Sequence, residues 1–524
     1  MVVRWSLFGE SSVRLIIVLL GVGFPHLMVA GGLPSTDEGI YAYYAQIIHS
    51  SLTLGHGLPD TGPLVLYPIL LSWVFELSAN HIIVLRLIDM IVAIFAGWLL
   101  FRIVETESRS RVGASLISLI FLFTISQPIF IQSGFKNSIF AAYIPLFLAV
   151  RLAQRTSRVN DNTWYLIGAL AAVSVLLRET FLPFIIVGAF SVFFTQGWKM
   201  FLRYSCGAAV AGFAIMLTIL TARGGIQTLI DSYREAGIFY ASVANQRAPL
   251  FIANGIYSVK SSLVSLGVGA VSIITIIVIS FLRRSPEVLG RFTFWIVVTL
   301  VPLLEPISKI GFPYHFAVCL PGLAGISALA WRSAVMENPS KIKFKIATAA
   351  IATCTLLLFP NFILLTNNWA SSQANLASIA SSKWPNEAIN QSNYLLAAET
   401  IRRVSPPNGT LSISGFMFAL YPLTGLLPPT YEIAHLNSTF LKLGSNKDEF
   451  TAFLKSCAPD VLMTTTRNDL PGSEAITKIV EESGLYQTVE IIPIAPEKNY
   501  GTFGGIIFKK LEHHHNSCET KLTQ

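Results

Sequence analysis

Charge is what this sequence has least of. Only 13% of its residues are Asp, Glu, Lys or Arg, against 53% hydrophobic ones. A water-soluble chain carries about 25% charged residues, and half that share cannot wet the surface of a 524-residue protein. Soluble multidomain, disordered and fibrous architectures are thereby excluded. Cysteine is scarce too, and five in the whole chain exclude a disulfide scaffold. Cys206, Cys319 and Cys354 sit inside apolar runs, as small core side chains do, whereas Cys457 and Cys518 lie in a polar C-terminal region and can pair if it faces an oxidising compartment. No internal repeat is present, and no glycine fingerprint for a nucleotide: Gly504-Gly505 falls inside a strand-like run, not between a strand and a helix. The formal charge of +8 comes from short basic clusters between apolar runs, a pattern that orients a chain in a bilayer and speaks against a nucleic-acid partner.

What is there is a series of long apolar runs. At about 20 residues per crossing, they predict spans at 12–32, 81–104, 112–131, 137–153, 163–178, 181–197, 204–222, 260–282, 291–306, 314–331 and 345–366, about eleven in all. The first, preceded by Arg4 and Arg14, is expected to stay as a helix and not to be cleaved, because further spans follow it directly. Segment 62–79 is apolar as well, but it contains Pro63, Pro68 and Glu76 and is read as a surface or packed helix. With the N-terminus inside, the cytoplasmic loops hold seventeen Lys and Arg and the opposite side seven. If 62–79 crossed, Arg109, Arg111, Arg155 and Arg158 would move outside and that bias would be lost. An odd number of spans then places the C-terminus outside.

Residues 367–524 are polar and carry 12 of the 37 basic residues. Helix-like 393–404, strand-like 410–414, helix-like 447–456, strand-like 461–465, a helix near 474–482 and strand-like runs 486–493 and 504–510 alternate, which argues a small α/β layer domain. The division expected is a membrane domain over 1–366 and an outer-face domain over 367–524. His513-His514-His515 reads as a solvated tail.

The first outer loop, Gly31–Gly62, contains no lysine or arginine. It carries Asp37-Glu38 just after the first span, then Ile40, Tyr43, Tyr44, Ile47 and Ile48 at helical spacing. That pattern describes an amphipathic helix lying on the interface, with tyrosines at headgroup depth. The two carboxylates suit the positive end of its dipole, so they can simply cap it. They also suit general-base work, because desolvation beside a membrane raises a carboxylate pKa toward neutrality.

Other outer-face groups are Arg178, in the tight connection Leu177-Arg178-Glu179-Thr180, and Lys136 and Lys309 at helix ends. An ionisable group at membrane depth is a functional candidate, while an Arg178–Glu179 anchor or snorkelling lysines would be structural. Arg86 and Asp89 are spaced to pair along one helix. His56 and Asp60 are candidates for acceptor contact, and Asp231, Arg234 and Glu235 recur at helical spacing in the loop after the seventh span.

The order Pro34-x-x-Asp37-Glu38-Gly39-x-Tyr41-Ala42, amphipathic helix, Gly62-Pro63-Leu64-x-x-Tyr67-Pro68, then a span, resembles the membrane glycosyltransferases of the GT-C superfamily. The protein-mannosyltransferase and lipid A aminoarabinose-transferase group is most similar. Lys309-x-x-x-x-Tyr314-His315 resembles that group's segment facing the donor phosphate, and Ser414-Gly415 with Leu420-Tyr421-Pro422-Leu423-Thr424-Gly425 resembles stretches of its outer domains. The resemblance implies a polytopic helical membrane fold with interfacial helices in the first outer loop and a soluble outer domain. It implies transfer of a sugar from a polyprenyl-phosphate donor to a hydroxyl on a glycan, lipid or protein, at the outer face of a bacterial inner membrane. By that resemblance Asp37 would be the base, with Glu38 assisting, and Lys309, Tyr314 and His315 would face the donor phosphate; independently of it, Arg178 and Lys136 are the outer-face cations expected to hold the leaving phosphate. The sequence departs from the group at Gly134-Phe135-Lys136-Asn137, where relatives have an acidic residue, and at Thr61-Gly62, where the aminoarabinose branch has a glutamate-lysine pair. No cofactor is required by this reading, and nothing in the sequence indicates a divalent metal. A lipid-linked sugar transporter or flippase, and a polysaccharide polymerase or ligase using a pyrophosphate-linked donor, are the alternatives. A non-catalytic assembly protein with a glycan-binding outer domain is a further one.

Overall fold

The computed structural model describes residues 10–30, 36–55, 57–59, 66–76, 81–131, 139–155, 160–222, 225–227, 230, 234, 252–253, 256, 286–304, 313–333, 393–415, 417–429, 447–466, 473–493 and 504–511. In chain order, α1 (Glu10–Val18) leads through a π turn, Leu19–Gly23, into α2 (Phe24–Val29). The first loop carries α3 (Thr36–Thr53) and α4 (Leu66–Leu71), the latter prolonged by a 3-10 turn over Ser72–Glu76. There follow α5 (His81–Ser108), α6 (Arg111–Ile125), α7 (Pro128–Ile131), α8 (Ile139–Ala153), α9 (Thr163–Leu177), α10 (Leu182–Gln196) and α11 (Trp198–Ala222). Helices α12 (Pro286–Leu300) and α13 (Leu320–Trp331) come next, the latter entered through a 3-10 segment, Pro313–Cys319. The C-terminal region holds α14 (Asn393–Val404), β1 (Leu411–Ser414), α15 (Leu420–Thr424), α16 (Lys447–Cys457), β2 (Val461–Thr466), α17 (Ser473–Glu482), β3 (Tyr486–Ile492) and β4 (Gly504–Lys510). The chain forms two compact units, one drawn from Met1–Ala30, Arg86–Leu217 and Ser242–Ser372, the other from Gly31–Leu85, Thr218–Ala241 and Gln373–Gln524.

The first unit is a bundle of apolar helices. Among the described residues Ser11–Val29, Ile82–Ser108, Glu179–Gln196 and Trp198–Ala222 are long and apolar enough to cross a bilayer, and shorter apolar helices accompany them. The expected spans 260–282 and 345–366 lie outside the described residues. Helix contacts run through small residues, as they must where lipid offers no hydrophobic drive. A Cβ on Gly21 would stand 2.8 Å from Leu122 Cβ, and one on Gly97 3.2 Å from Leu122 and Val22. The π turn has a cause in Pro25, which has no N–H and whose ring would strike the carbonyl of Gly21 in a regular helix. Widening the turn at 19–23 relieves that clash.

One end of this bundle gathers charges far apart in sequence. Glu105 meets Arg14 at 3.0 Å and Arg102 at 3.1 Å. Glu107 meets Arg291 at 3.2 Å and accepts from Gln154 at 2.8 Å, and Arg151 donates to the Arg102 carbonyl at 3.0 Å. All of these residues belong to the loops assigned to one side from the lysine and arginine bias.

The second unit is built on a four-stranded sheet in the order β1-β2-β4-β3, with β1 and β2 parallel and the other pairs antiparallel. Alternation along the strands sends side chains to two opposite cores. Val461, Met463 and Ile507 enter one core with Tyr394, Ala397 and Ile401 of α14, while Leu462 and Phe508 enter the other with Phe450, Leu454, Ile476 and Val480 of α16 and α17. The first core has a further contributor: Tyr43 and Ile47 of α3, 1% and 0% exposed, pack among these residues. The tyrosines expected at headgroup depth are thus in part otherwise employed. Helix α4 lies on α3 as well, with Tyr67 edge-on to Tyr41 at 5.8 Å and Phe75 stacked on His49 at 6.3 Å.

Candidate functional site

Asp37 and Glu38 occupy the first turn of α3, which begins at Thr36. Glu38 has no exposed surface. Next to it Gly39 lies against the backbone of Ala419, where an added Cβ would stand 2.8 Å from Ala419 Cα and closer still to its nitrogen. One turn on, the Tyr43 ring stacks on Tyr421 at 4.2 Å and on Phe418 at 5.3 Å. The Tyr421 oxygen also accepts from the Ile413 N–H of β1 at 3.2 Å. Burial, with the neighbouring Tyr421 adding to it, holds the Tyr43 hydroxyl well above its ordinary ionisation range, and burial does the same for Tyr421. Further along, the Gln46 side-chain amide donates to the Leu426 carbonyl at 3.1 Å. Beyond α3, Ser51 donates to the Gly57 carbonyl at 2.7 Å and the Leu58 N–H to the Ala222 carbonyl at 2.9 Å, closing the loop back on the end of α11. His56 and Asp60 lie outside the described residues.

The bundle carries the cationic candidates. Arg178 is the corner between α9 and α10: its backbone is extended, φ −155° and ψ 107°, and its N–H still bonds to the Ser174 carbonyl at 3.1 Å. The chain turns through Glu179–Phe181 and enters α10 with Pro183 in its first turn, where a missing N–H costs nothing. Arg178 is only 4% exposed, so a permanent cation is kept inside the corner. His315, 3% exposed, and Tyr314 lie on the 3-10 segment ahead of α13. Tyr143 of α8 ties these two places together, its ring edge-on to Phe181 at 5.3 Å and its hydroxyl donating to the Ala317 carbonyl at 3.2 Å. Lys136 and Lys309 lie outside the described residues.

A buried polar group escaped the sequence reading. His26 donates through Nδ1 to the Val22 carbonyl at 2.9 Å, and its Nε2 lies 3.9 Å from Asp89 Oδ2, with the Phe140 ring edge-on at 5.3 Å. Arg86, 1% exposed, donates to the Ala30 carbonyl at 2.7 Å, holding the residue from which the acidic loop departs. The available signal was a lone histidine following a proline in an apolar run. Among the described residues, no group of three or more His, Cys, Asp or Glu side chains is placed to share a metal ion.

The chain is similar to the crystal structure of ArnT from Cupriavidus metallidurans bound to undecaprenyl phosphate, with a TM-score of 0.55 over 96% of this chain and 99% of that one, at 10% identity. At that identity the likeness is one of fold. No family model and no curated protein matches the sequence.

Proposed function

We propose that this protein is a transferase that moves a sugar from a polyprenyl-phosphate donor to an acceptor hydroxyl at the outer face of a membrane. The observation that carries the reading is the end-to-end likeness in fold to a protein solved with undecaprenyl phosphate bound, taken with an acidic pair on the first turn of α3. Asp37 accepts the proton of the acceptor hydroxyl. The acceptor oxygen attacks the anomeric carbon, the bond from that carbon to the phosphate oxygen breaks, and the electron pair leaves with the phosphate. The sugar is passed on with inversion, and a phosphodiester with one negative charge becomes a monoester with more. Arg178 offsets that added charge, which a guanidinium can do through two parallel hydrogen bonds. His315, Tyr314 and Lys309 are assigned to the same phosphate by resemblance, and Lys136 joins them as an outer-face cation. Glu38, fully buried, takes the positioning role and not contact with the acceptor.

The outer-face location is supported by the lysine and arginine bias and by Cys457, which is disulfide-bonded; such bonds persist in oxidising compartments. A bacterial inner membrane, with the C-terminal region in the periplasm, fits both. The test is a proteoliposome assay with a radiolabelled undecaprenyl-phosphate sugar and extracted envelope glycans and lipids as acceptors. The label is expected to leave the donor for an acceptor. Movement of intact donor between leaflets without cleavage would overturn the transferase reading in favour of transport.

A further inference from the structure

The contacts along α3 have a regularity that packing alone does not demand. Gly39, Tyr43 and Gln46 follow one another at helical spacing and form a single stripe. Each meets a different part of one short stretch of the C-terminal layer: Gly39 the Ala419 backbone, Tyr43 the Tyr421 ring, Gln46 the Leu426 carbonyl. A stripe held at three points over about 10 Å of helix fixes both its axis and its rotation. Tyr421 is itself held, through its hydroxyl, by the Ile413 N–H of β1. At about 100° per residue, the Asp37 position lies about 200° round from Gly39, on the side of the helix away from this stripe.

We infer that the C-terminal layer is a positioning part of the catalytic apparatus: Tyr421 and Ala419, through Tyr43 and Gly39, set where the first turn of α3 and its Asp37 stand. This rests on the reading of Asp37 as the base. Tyr421 touches no reacting atom in this account and acts only through α3. Both tyrosine hydroxyls are held in their neutral form by burial, so the link is uncharged and indifferent to pH over the ordinary range. A base displaced by about 1 Å loses on the order of 10²-fold in rate.

The experiment compares wild type, Tyr421→Leu, Tyr421→Phe and Gly39→Ala, each as full-length protein in nanodiscs. Turnover is normalised to sites titrated with undecaprenyl phosphate, so that unfolded protein does not count, and hydrogen exchange is followed over residues 36–53. Tyr421→Leu is expected to lower kcat per site by about 10- to 100-fold, with the donor KM within about twofold and faster exchange in α3. Tyr421→Phe keeps the ring stack and should recover most of the loss. Gly39→Ala, which drives a methyl into the Ala419 backbone, should lower kcat in the same way if Tyr421→Leu fails to fold. Faster exchange in α3 with kcat per site unchanged would overturn the positioning role. Unchanged exchange over 36–53 would show that the layer does not hold α3 at all, whatever the enzyme's activity. A wild type inert toward the donor, but showing the exchange changes, would overturn the transferase reading and the positioning role with it, leaving the clamp as packing.

Discussion

Replacing Ile47 with alanine places a small cavity in a core that two distant parts of the chain share. Ile47 is 0% exposed and packs with Tyr394, Ile401, Leu411, Ile413 and Met463, more than 340 positions away. The change deletes three carbons, worth about 0.8 kcal/mol each in transfer alone; the cavity adds to this, for a total of about 2–5 kcal/mol. A loss of about 3 kcal/mol raises the population of opened forms about 100-fold. Amide exchange in α14, β1 and β2 should therefore quicken by about 30-fold to several thousand-fold. The charged end of the helical bundle should exchange at its wild-type rate. The assay is hydrogen exchange with mass spectrometry on the protein in nanodiscs. Ile47→Val, expected to cost only about 0.5–1.5 kcal/mol, provides the graded control. Exchange over 393–414 and 461–466 within about threefold of wild type would refute the claim that the first-loop helix is part of the sheet's core.

Arg178→Gln removes a charge-assisted contact worth about 1.5–3 kcal/mol and should lower kcat/KM for the donor by about 10- to 150-fold, with Arg178→Lys recovering part of it; equal kinetics in all three would remove Arg178 from the phosphate. Glu107→Gln weakens the pairing with Arg291 and the bond from Gln154. Since the Arg291 side is screened by solvent, the expected cost is about 1–2 kcal/mol, read as a lower melting temperature with activity per folded molecule retained. Above pH about 10 the C-terminal layer should lose stability. The Tyr43, Tyr421 and Tyr486 hydroxyls are all raised by burial, so their contribution is complete below the unfolded value and drains away as pH climbs past it. Tyr43→Phe should flatten that decline in a melting series, and an unaltered alkaline limb would contradict the assignment. Non-reducing peptide maps should show Cys457 in a disulfide.

Much of the C-terminal layer was legible because its strands alternate. Val461, Leu462 and Met463 face two cores in turn. Arg14, Arg102, Arg151 and Arg291, which the charge bias put in one set of loops, collect at one end of the helical bundle around Glu105 and Glu107. The apolar stripe of α3 was visible, but what covers it was not. A membrane surface and a protein core reward the same spacing, and the choice rests on Tyr421 and Phe418, remote in sequence. The approach of His26 to Asp89 and the grip of Arg86 on Ala30 depend on helix crossings that no local pattern encodes. Asp37-Glu38 stood out for the opposite reason: a pair of acids in a loop devoid of lysine and arginine, at a helix start, is a local signal.

The most direct test is the single-turnover rate of sugar transfer by Asp37→Asn with the donor bound at saturation. A general base contributes about 10²–10⁴-fold, so the rate should fall by that factor while binding of undecaprenyl phosphate and the melting temperature stay as in wild type. Transfer at the wild-type rate would show that another group takes the proton.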